Sequence, residues 1–392
     1  MRTQVGIVGA GPAGLMLGHL LHLEGIDSII IEDRSREYVI DRVRAGVLEQ
    51  STVDLMVESG VGERLRREGM RHRGIYLCFQ GRRHRIDFEE LTGGRTITVY
   101  GQNEVVKDLI AARCATGSPL YFGVNNVRLQ GFEDHKSHKT IVYATGGEEC
   151  EITCDFIAGC DGSRGVCRPS IPADQIQVYE REYPFGWLGI LANAAPSSEE
   201  LVYALHERGF ALFSMRSPLV TRLYLQCAPD EDLELWRDDR IWEELIERLG
   251  TAEGWHPNRG DIFQKGVTGM RSMVTEPMRC GAMFLAGDAA HIVPPTGAKG
   301  LNLAMADVCI LSRALSAWYR SGRRDLLDGY SDQCLRRVWR AQRFSWWMTS
   351  MLHRSPDGNA FDFRRQLAEL EYVISSRPAM TSLAENYTGL PI

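Results

Sequence analysis

The chain has 392 residues, 45 of them basic and 51 acidic, for a formal charge of −6. A hydrophobic share of 44% against 24% charged residues excludes a disordered chain, a collagen and a coiled coil, and the length divides into two or three domains or one large α/β domain with a satellite. The mild acidity argues against nucleic acid as an obligate partner, because phosphate binding needs a basic surface.

No apolar run approaches the ~20 residues of a membrane span. Met1-Arg2-Thr3-Gln4 runs straight into a strand pattern, without the zones of a signal peptide. The ten cysteines include no CxxC pair and no histidine partner at zinc spacing. They read as reduced thiols of a cytoplasmic protein, with neither a metal site nor a disulfide framework expected.

In chain order, residues 4–9 (QVGIVG) have the apolar, β-branched character of a buried parallel strand. A glycine-rich turn and a helix to about His22 follow, then a second strand at 28–32. Helical pattern runs through Ala45–Val57 and Val61–Glu68, short strands through 71–100, and a helix through about 103–115. Residues 120–157 alternate as strands and end in a buried strand at 155–159. Residues 175–270 alternate again, with one helix at 239–249, as a second, sheet-based domain would. A buried strand and turn at 283–291 and a Pro/Gly-rich segment at 292–302 precede helices from 303 to about 352.

Gly9, Gly11 and Gly14 follow the first strand and open the first helix. The first permits a tight turn, the second lets backbone approach a pyrophosphate, and the third lets helix pack on strand. The phosphates then face a helix N-terminus. Glu32, at the end of the next strand, stands where an acid binds ribose hydroxyls. This predicts an adenine dinucleotide site.

Two further turns follow buried strands, Gly159-Cys160-Asp161-Gly162 and Gly287-Asp288-Ala289-Ala290-His291. Together with the first motif, in this order and spacing, they resemble the three fingerprints of the single-component flavoprotein aromatic hydroxylases. The resemblance narrows at residues 42–50 (RVRAGVLEQ), 183–187 (YPFGW), 294–302 (PPTGAKGLN), 344–350 (FSWWMTS) and 385–387 (ENY), to the branch acting on 4-hydroxybenzoate. It covers nearly the whole chain, from Gln4 to Pro391.

The resemblance implies an α/β (α+β) chain with three parts. A Rossmann-like FAD-binding domain of the glutathione-reductase-like type would take residues 1–70, 98–180 and 268–345, and a substrate-binding sheet domain 71–97 and 181–267. A helical C-terminal and interface region would take 346–392. It implies tightly bound FAD, reduction by NADH or NADPH, O2 as co-substrate, and hydroxylation of 4-hydroxybenzoate at C3 to protocatechuate through a flavin hydroperoxide. It further implies a homodimer, to which a helical stretch at 335–352 with Trp339, Phe344, Trp346, Trp347 and Met351 is a candidate contributor; buried core explains those residues equally well. A sister hydroxylase of another hydroxy- or dihydroxybenzoate and a non-hydroxylating flavin-binding redox sensor are the alternatives.

The substrate pocket has its own logic. In a strand, alternate residues share a face, so Phe210, Leu212, Ser214 and Arg216 line one side. An aromatic acid would lie with its ring over Leu212 and its carboxylate held by Arg216, with a bond from Ser214. The resemblance adds Tyr224 to that carboxylate and Tyr203 and Tyr387 to the phenol end. Phenol hydroxylation is electrophilic attack on the ring, and a phenolate is far richer in electrons. A relay through two tyrosines to a group that titrates near neutral pH would remove the proton, and His72 is the candidate terminus. Trp187 and Leu201 would close apolar walls; the resemblance implies that the Pro295 carbonyl meets the substrate hydroxyl, with Thr296 and Ala298 its neighbours in the same pocket.

For the cofactor, the resemblance assigns Asp288 to the ribityl chain and the Leu301-Asn302 amides to the pyrimidine end, which a helix N-terminus suits once it is anionic. Arg42, Arg44 and Gln102 complete the FAD set, and Asp161 serves the region between flavin and nicotinamide. No second GxGxxG exists, so the nicotinamide is expected on scattered residues: Asp33, Tyr38, Arg42, Arg44, Arg164, Arg168 and Arg271. Ser163 and Arg164 depart from the family pattern, which often has histidine at the latter position. Asp33 would repel a 2′-phosphate whereas Arg34 and Arg36 would attract one, which predicts relaxed preference or preference for NADH.

Overall fold

A computed structural model describes residues 1–42, 46–134 and 138–390. Its first layer is a six-stranded sheet ordered Arg279–Cys280, Met283–Leu285, Phe156–Gly159, Val5–Val8, Ser28–Glu32, Leu120–Phe122. All neighbours are parallel except the short edge strand Arg279–Cys280. Val5–Val8 is central and fully buried, as its continuous apolar run requires. The helix Pro12–Leu23 packs against it and against the helix Gly300–Ser321. An antiparallel ribbon, Asn125–Gln130, Lys139–Thr145 and Glu148–Cys154, makes the crossover from Leu120–Phe122 to Phe156–Gly159.

The second layer is an eight-stranded sheet: His291–Ile292, Asp261–Glu276, Gln177–Asn193, Val220–Cys227, Ala211–Ser217, Val202–Ala204, Gly74–Phe79, Arg82–Asp87. It is antiparallel except where Val202–Ala204 runs with Gly74–Phe79. The long paired strands Gln177–Asn193 and Asp261–Glu276 run from one part of the molecule into the other. Two hydrophobic cores result. One lies around the parallel sheet and takes in Val274, Leu303 and Leu311. The other lies under the second sheet and takes in Trp187, Phe210 and Leu225. The closing helices Tyr330–Leu352, Ala360–Ser375 and Arg377–Thr388 put Met348, Leu352, Leu367, Leu383 and Tyr387 into that second core.

Two local readings need correction. The helix expected from Ala45 starts at Gln50 instead; Val47–Glu49 is a strand paired with Ile97–Val99, which also carries Met70–His72. A cross-strand partner far along the chain overrode the helical apolar spacing. The helix Gly300–Ser321 does reach the length and apolar content of a membrane span, but 78% of that window is buried inside the protein. Its apolar residues Leu303, Val308, Leu311 and Leu315 face the first core.

The motif glycines differ in what constrains them. Gly9 has φ +107, and a Cβ there would sit 2.3 Å from the Cys160 carbonyl oxygen; a Cβ on Gly14 would sit 2.0 Å from the Gly9 oxygen, while Gly11 faces open space. Gly14→Ala therefore forces helix from strand at the phosphate turn. We expect a loss of about 1–3 kcal/mol in urea unfolding together with reduced flavin content in the purified protein.

Candidate active site and cofactor cleft

The first turn and the end of the second strand form one wall of a cleft. Glu32 accepts from the Ala10 amide at 2.7 Å and the Arg34 amide at 3.0 Å. Burial and the neighbouring Asp33 raise its pKa from 4.5 to about 7 despite those amides. Gly11, Pro12, Glu32, Arg34, Tyr38, Val39, Arg42, Gln102, Asn103 and Val106 line this cleft. An open glycine edge beside an acid suits a pyrophosphate and a ribose. Arg44 lies outside the described residues.

The other two turns adjoin the first, the Cys160 carbonyl against Gly9 and Gly287 near Ala13. Asp161 is half-buried and accepts from the Cys167 amide at 2.8 Å, which folds residues 161–167 into a loop, and desolvation raises its pKa. The Gly287 amide donates to Asp307 at 2.9 Å, and Asp307 also holds His291 Nε2 at 2.6 Å. Burial would lower the His291 pKa, but the Asp307 carboxylate outweighs it. This buried pair fixes the turn that leaves Asp288 exposed. Pro295 is exposed beyond it, and Ala298, at φ +53, turns the loop into the helix Gly300–Ser321. The first-turn amides of Gly300, Leu301 and Asn302 have no helical acceptor, and no side chain caps them. The Asn302 carboxamide is spent internally, on the Val47 and Ala298 carbonyls, the Glu49 amide and the Thr52 hydroxyl. Only its backbone can face a ligand. The Thr296 hydroxyl accepts from Thr349 at 2.9 Å, so that residue is structural in this state.

The second sheet assembles the other residues. Residues opposed across a ladder share a face. The register sets Tyr203 against Leu212 and Leu212 against Tyr224, with Ser214 against Arg222. Arg216 is largely buried and donates to Asn103 Oδ1 at 2.5 Å; burial lowers its pKa. Arg222 Nε donates to the Tyr224 hydroxyl, and Ser214 Oγ donates to the Met215 carbonyl at 3.3 Å. Leu201 and Trp187 are buried beside this face. The Trp187 ring lies 4.7 Å from that of Tyr224 and its indole N–H donates to His353 Nε2 at 2.7 Å.

The chain's last helix delivers Tyr387. Its hydroxyl is hydrogen-bonded to that of Tyr203, and burial keeps both phenols neutral, raised above the usual 10. Phe88 stacks on Tyr387 at 5.1 Å. The backbone around Tyr387 is clamped by buried charges. Lys299 donates to Glu49 at 2.6 Å and to the carbonyls of Asn386 and Tyr387. Arg337 donates to the other Glu49 oxygen at 3.0 Å and to the Leu390 carbonyl at 2.7 Å.

His72 departs from the expectation of a group in contact with solvent. It is buried, and neither ring nitrogen has a hydrogen-bond partner among the described residues. Burial pushes its pKa down from 6.5 to about 4, against a smaller pull from Glu200. It therefore stays neutral at pH 7 and is not bonded to either tyrosine in this conformation.

The expected nicotinamide residues are scattered. Asp33, Arg34, Tyr38 and Arg42 are exposed at the cleft rim, where Arg34 and Arg42 lie 5.5 and 5.9 Å from the Tyr38 ring. Asp33 and Arg34 pair at 3.6 Å. Arg164 is exposed, and Arg271 is half-buried opposite Glu182. Arg168 is engaged with the Ser163 and Ala289 carbonyls and Met273 Sδ, which leaves it less free for a ligand than the expectation assumed.

Sequence reasoning missed Asn103, Arg222, Glu49, Lys299, Arg337 and His353. Only Arg222 carried a signal: two residues from Tyr224 in a strand, it shares its face.

Neutral burial of His72 has a pH signature. The unfolded chain takes this proton near 6.5 and the folded chain only near 4. Stability is therefore lost as pH falls through that window, by up to about 3 kcal/mol, with no further loss below it. Urea midpoints at pH 7 and pH 4.5 should lie closer together in His72→Asn than in the wild type.

Residues 2–345 match the family model described as FAD binding domain. The chain is 49% identical over 391 residues to the p-hydroxybenzoate hydroxylase of Acinetobacter baylyi, covering 100% of this chain and 96% of that one. It is 27% identical over 338 residues to a 3-(3-hydroxy-phenyl)propionate/3-hydroxycinnamic acid hydroxylase of Mycolicibacterium smegmatis, spanning 84% of this chain and 57% of that one. Among solved structures, p-nitrophenol 4-monooxygenase PnpA from Pseudomonas putida DLL-E4 superimposes over the whole of both chains with a TM-score of 0.83 at 17% identity, a likeness of fold. With the glycine cleft, the three turns and the full-length match together, the chain belongs to the FAD-binding flavoprotein aromatic hydroxylases.

Proposed function

We propose that this enzyme hydroxylates 4-hydroxybenzoate at C3 to protocatechuate, using FAD, NADH or NADPH, and O2. The observation that carries the reading is one sheet face that offers cationic and hydroxyl groups at one end and a buried pair of tyrosine hydroxyls at the other. An aromatic acid with a para hydroxyl has that polarity. The 49% identity over the full chain supports the same substrate.

In this reading the carboxylate sits on Arg216, Ser214 and Tyr224. Asn103 occupies one Arg216 nitrogen, and a guanidinium has further donors for a forked pair. Leu212, Leu201 and Trp187 hold the ring and exclude water, and the Pro295 carbonyl faces the hydroxyl. Gly9, Gly11, Gly14, Glu32, Arg42, Gln102, Asp288 and the amides of Leu301 and Asn302 would hold FAD, with Arg44 and Asp161 completing the set. When bound, FAD supplies hydride acceptance from NAD(P)H and activation of O2. Tyr203 takes a hydrogen bond from the substrate phenol and hands the proton on through Tyr387, whose hydroxyl it already meets. His72 receives it only after the relay rearranges to reach its buried ring. Thr296 and Ala298 shape the loop.

The test is oxygen and NAD(P)H consumption by the purified holoenzyme with and without 4-hydroxybenzoate. Strong stimulation with protocatechuate formed one for one supports the reading. Stimulation only by a dihydroxybenzoate favours a sister hydroxylase, and none at all favours a redox sensor.

We place the enzyme in the cytoplasm, on its ten free cysteines, and assign it a homodimer. In the 335–352 stretch Phe344 and Met351 are core, whereas Trp339 and Trp346 are 43% and 45% exposed, so these two are the residues available to an interface.

The nicotinamide choice rests on the rim residues Asp33, Arg34, Arg36 and Tyr38, with Arg164, Arg168 and Arg271 completing the proposed dinucleotide set. Asp33→Arg removes a charge that repels a 2′-phosphate and adds a donor. The ratio of kcat/KM values for NADPH over NADH should rise about tenfold, worth ~1.4 kcal/mol; a change within about twofold would remove this segment as the selector.

Tyr387→Phe keeps the ring and its packing but removes one hydroxyl from the relay. Flavin content and 4-hydroxybenzoate affinity should hold, while protocatechuate formed per NAD(P)H oxidised falls and hydrogen peroxide rises. Full coupling in this variant would make Tyr387 a wall only.

A further inference from the structure

The imidazole of His353 lies outside every role assigned above, yet it is buried in the middle of the aromatic cluster beside the substrate face. It follows the helix Tyr330–Leu352, and its Nδ1 lies 3.0 Å from the Thr349 carbonyl while its backbone amide donates to the same oxygen at 2.9 Å. A carbonyl only accepts, so Nδ1 carries the proton. Nε2 is then an acceptor, and the group facing it at 2.7 Å is the Trp187 indole N–H, which can only donate. The two rings are nearly coplanar, 11° apart. Phe210 lies parallel to both, 5.1 Å from Trp187 and 4.3 Å from His353, and Phe185 lies parallel to His353 at 4.8 Å. Burial lowers the imidazole pKa to about 3, so the acceptor lone pair persists at every working pH.

The backbone under His353 is tied down on both sides. Gln366 donates to its carbonyl at 2.7 Å, and the Arg354 amide donates to Gln226 Oε1 at 3.0 Å. Gln226 stands directly opposite Trp187 in the sheet. One turn back, Thr349 is bonded to Thr296 of the loop proposed to cover the flavin.

We infer that His353 is a positioning residue for the substrate pocket: by accepting the Trp187 N–H it fixes the indole against Tyr224, and so sets the wall at the carboxylate end. The inference rests on the hydroxylase reading for the identity of the ligand, but the Trp187–His353 coupling itself does not. Without the acceptor, Trp187 would keep a buried N–H unmet, a state that drives the ring to another orientation.

A double-mutant cycle on the FAD-loaded enzyme tests it. Affinity for 4-hydroxybenzoate is read from flavin fluorescence, which needs no turnover. His353→Phe preserves the stacking on Phe185 and Phe210 but offers no acceptor, and its Kd should rise about 5–20-fold. His353→Gln restores an acceptor and should stay within about threefold of wild type. In a Trp187→Phe background, which has no N–H to satisfy, His353→Phe should cost under twofold. Wild-type affinity in His353→Phe, equal losses in the Phe and Gln variants, or an undiminished loss in the Trp187→Phe background would each overturn the inference. If His353→Phe does not retain FAD, the double variant should, and its failure to do so would also overturn it. If the wild type does not bind 4-hydroxybenzoate, the substrate reading fails instead; the same coupling must then appear in urea midpoints, and its absence there rejects the inference.

Discussion

Glu49 is a buried carboxylate, and its two oxygens hold Lys299 and Arg337. Neither partner comes from the segment that carries Glu49. Lys299 stands at the start of the long core helix and Arg337 on the next long helix. Each cation also donates to the C-terminal segment, Lys299 to the carbonyls of Asn386 and Tyr387 and Arg337 to that of Leu390. Arg95 adds a bond to the Gly389 carbonyl at 3.1 Å. Buried ion pairs contribute little net stability, because desolvation cancels most of the attraction, but they are intolerant of misplacement. The cluster thus sets where the end of the chain lies, and with it the hydroxyl of Tyr387.

The rest of the site follows from that placement. The sheet brings Tyr203, Leu212 and Tyr224 into one row by register alone, but a row of side chains on a sheet is open above. The C-terminal helices close it, with Tyr387 bonded to Tyr203 and the Trp187–His353 pair beside Tyr224. Burial holds the phenols of Tyr203 and Tyr387 and the imidazole of His72 neutral. In the proposed reading a substrate proton leaving the ring would pass first between neutral hydroxyls, with the buried Glu200 carboxylate acting on His72 beyond them.

What the sequence made legible is what depends on short spacing. The glycine turn, the acid at the end of the second strand and the shared face of Leu212 and Ser214 all rest on fixed local periods, whereas a register shift between Met215 and Ser217 breaks the alternation at Arg216. The residues it hid are paired across long separations: Asn103 with Arg216, Trp187 with His353, Glu49 with Lys299. No periodicity within one segment reports a partner in another. His72 was readable in part. Flanked by Arg71 and Arg73 it looks like a surface residue, but in a strand those arginines share one face and His72 takes the other, which is the buried one. The helix expected from Ala45 failed for the related reason that pairing with Ile97–Val99 decided the backbone.

The central claim is that the hydroxyl pair draws the substrate proton away from the phenol inside a closed pocket. The most direct measurement is the ultraviolet absorbance of 4-hydroxybenzoate bound to the oxidised enzyme, titrated from pH 6 to 9, in wild type and in Tyr203→Phe. The account predicts phenolate absorbance at distinctly lower pH in the wild type, with the variant's bound ligand remaining protonated across that range. Superimposable titrations in the two proteins would contradict it.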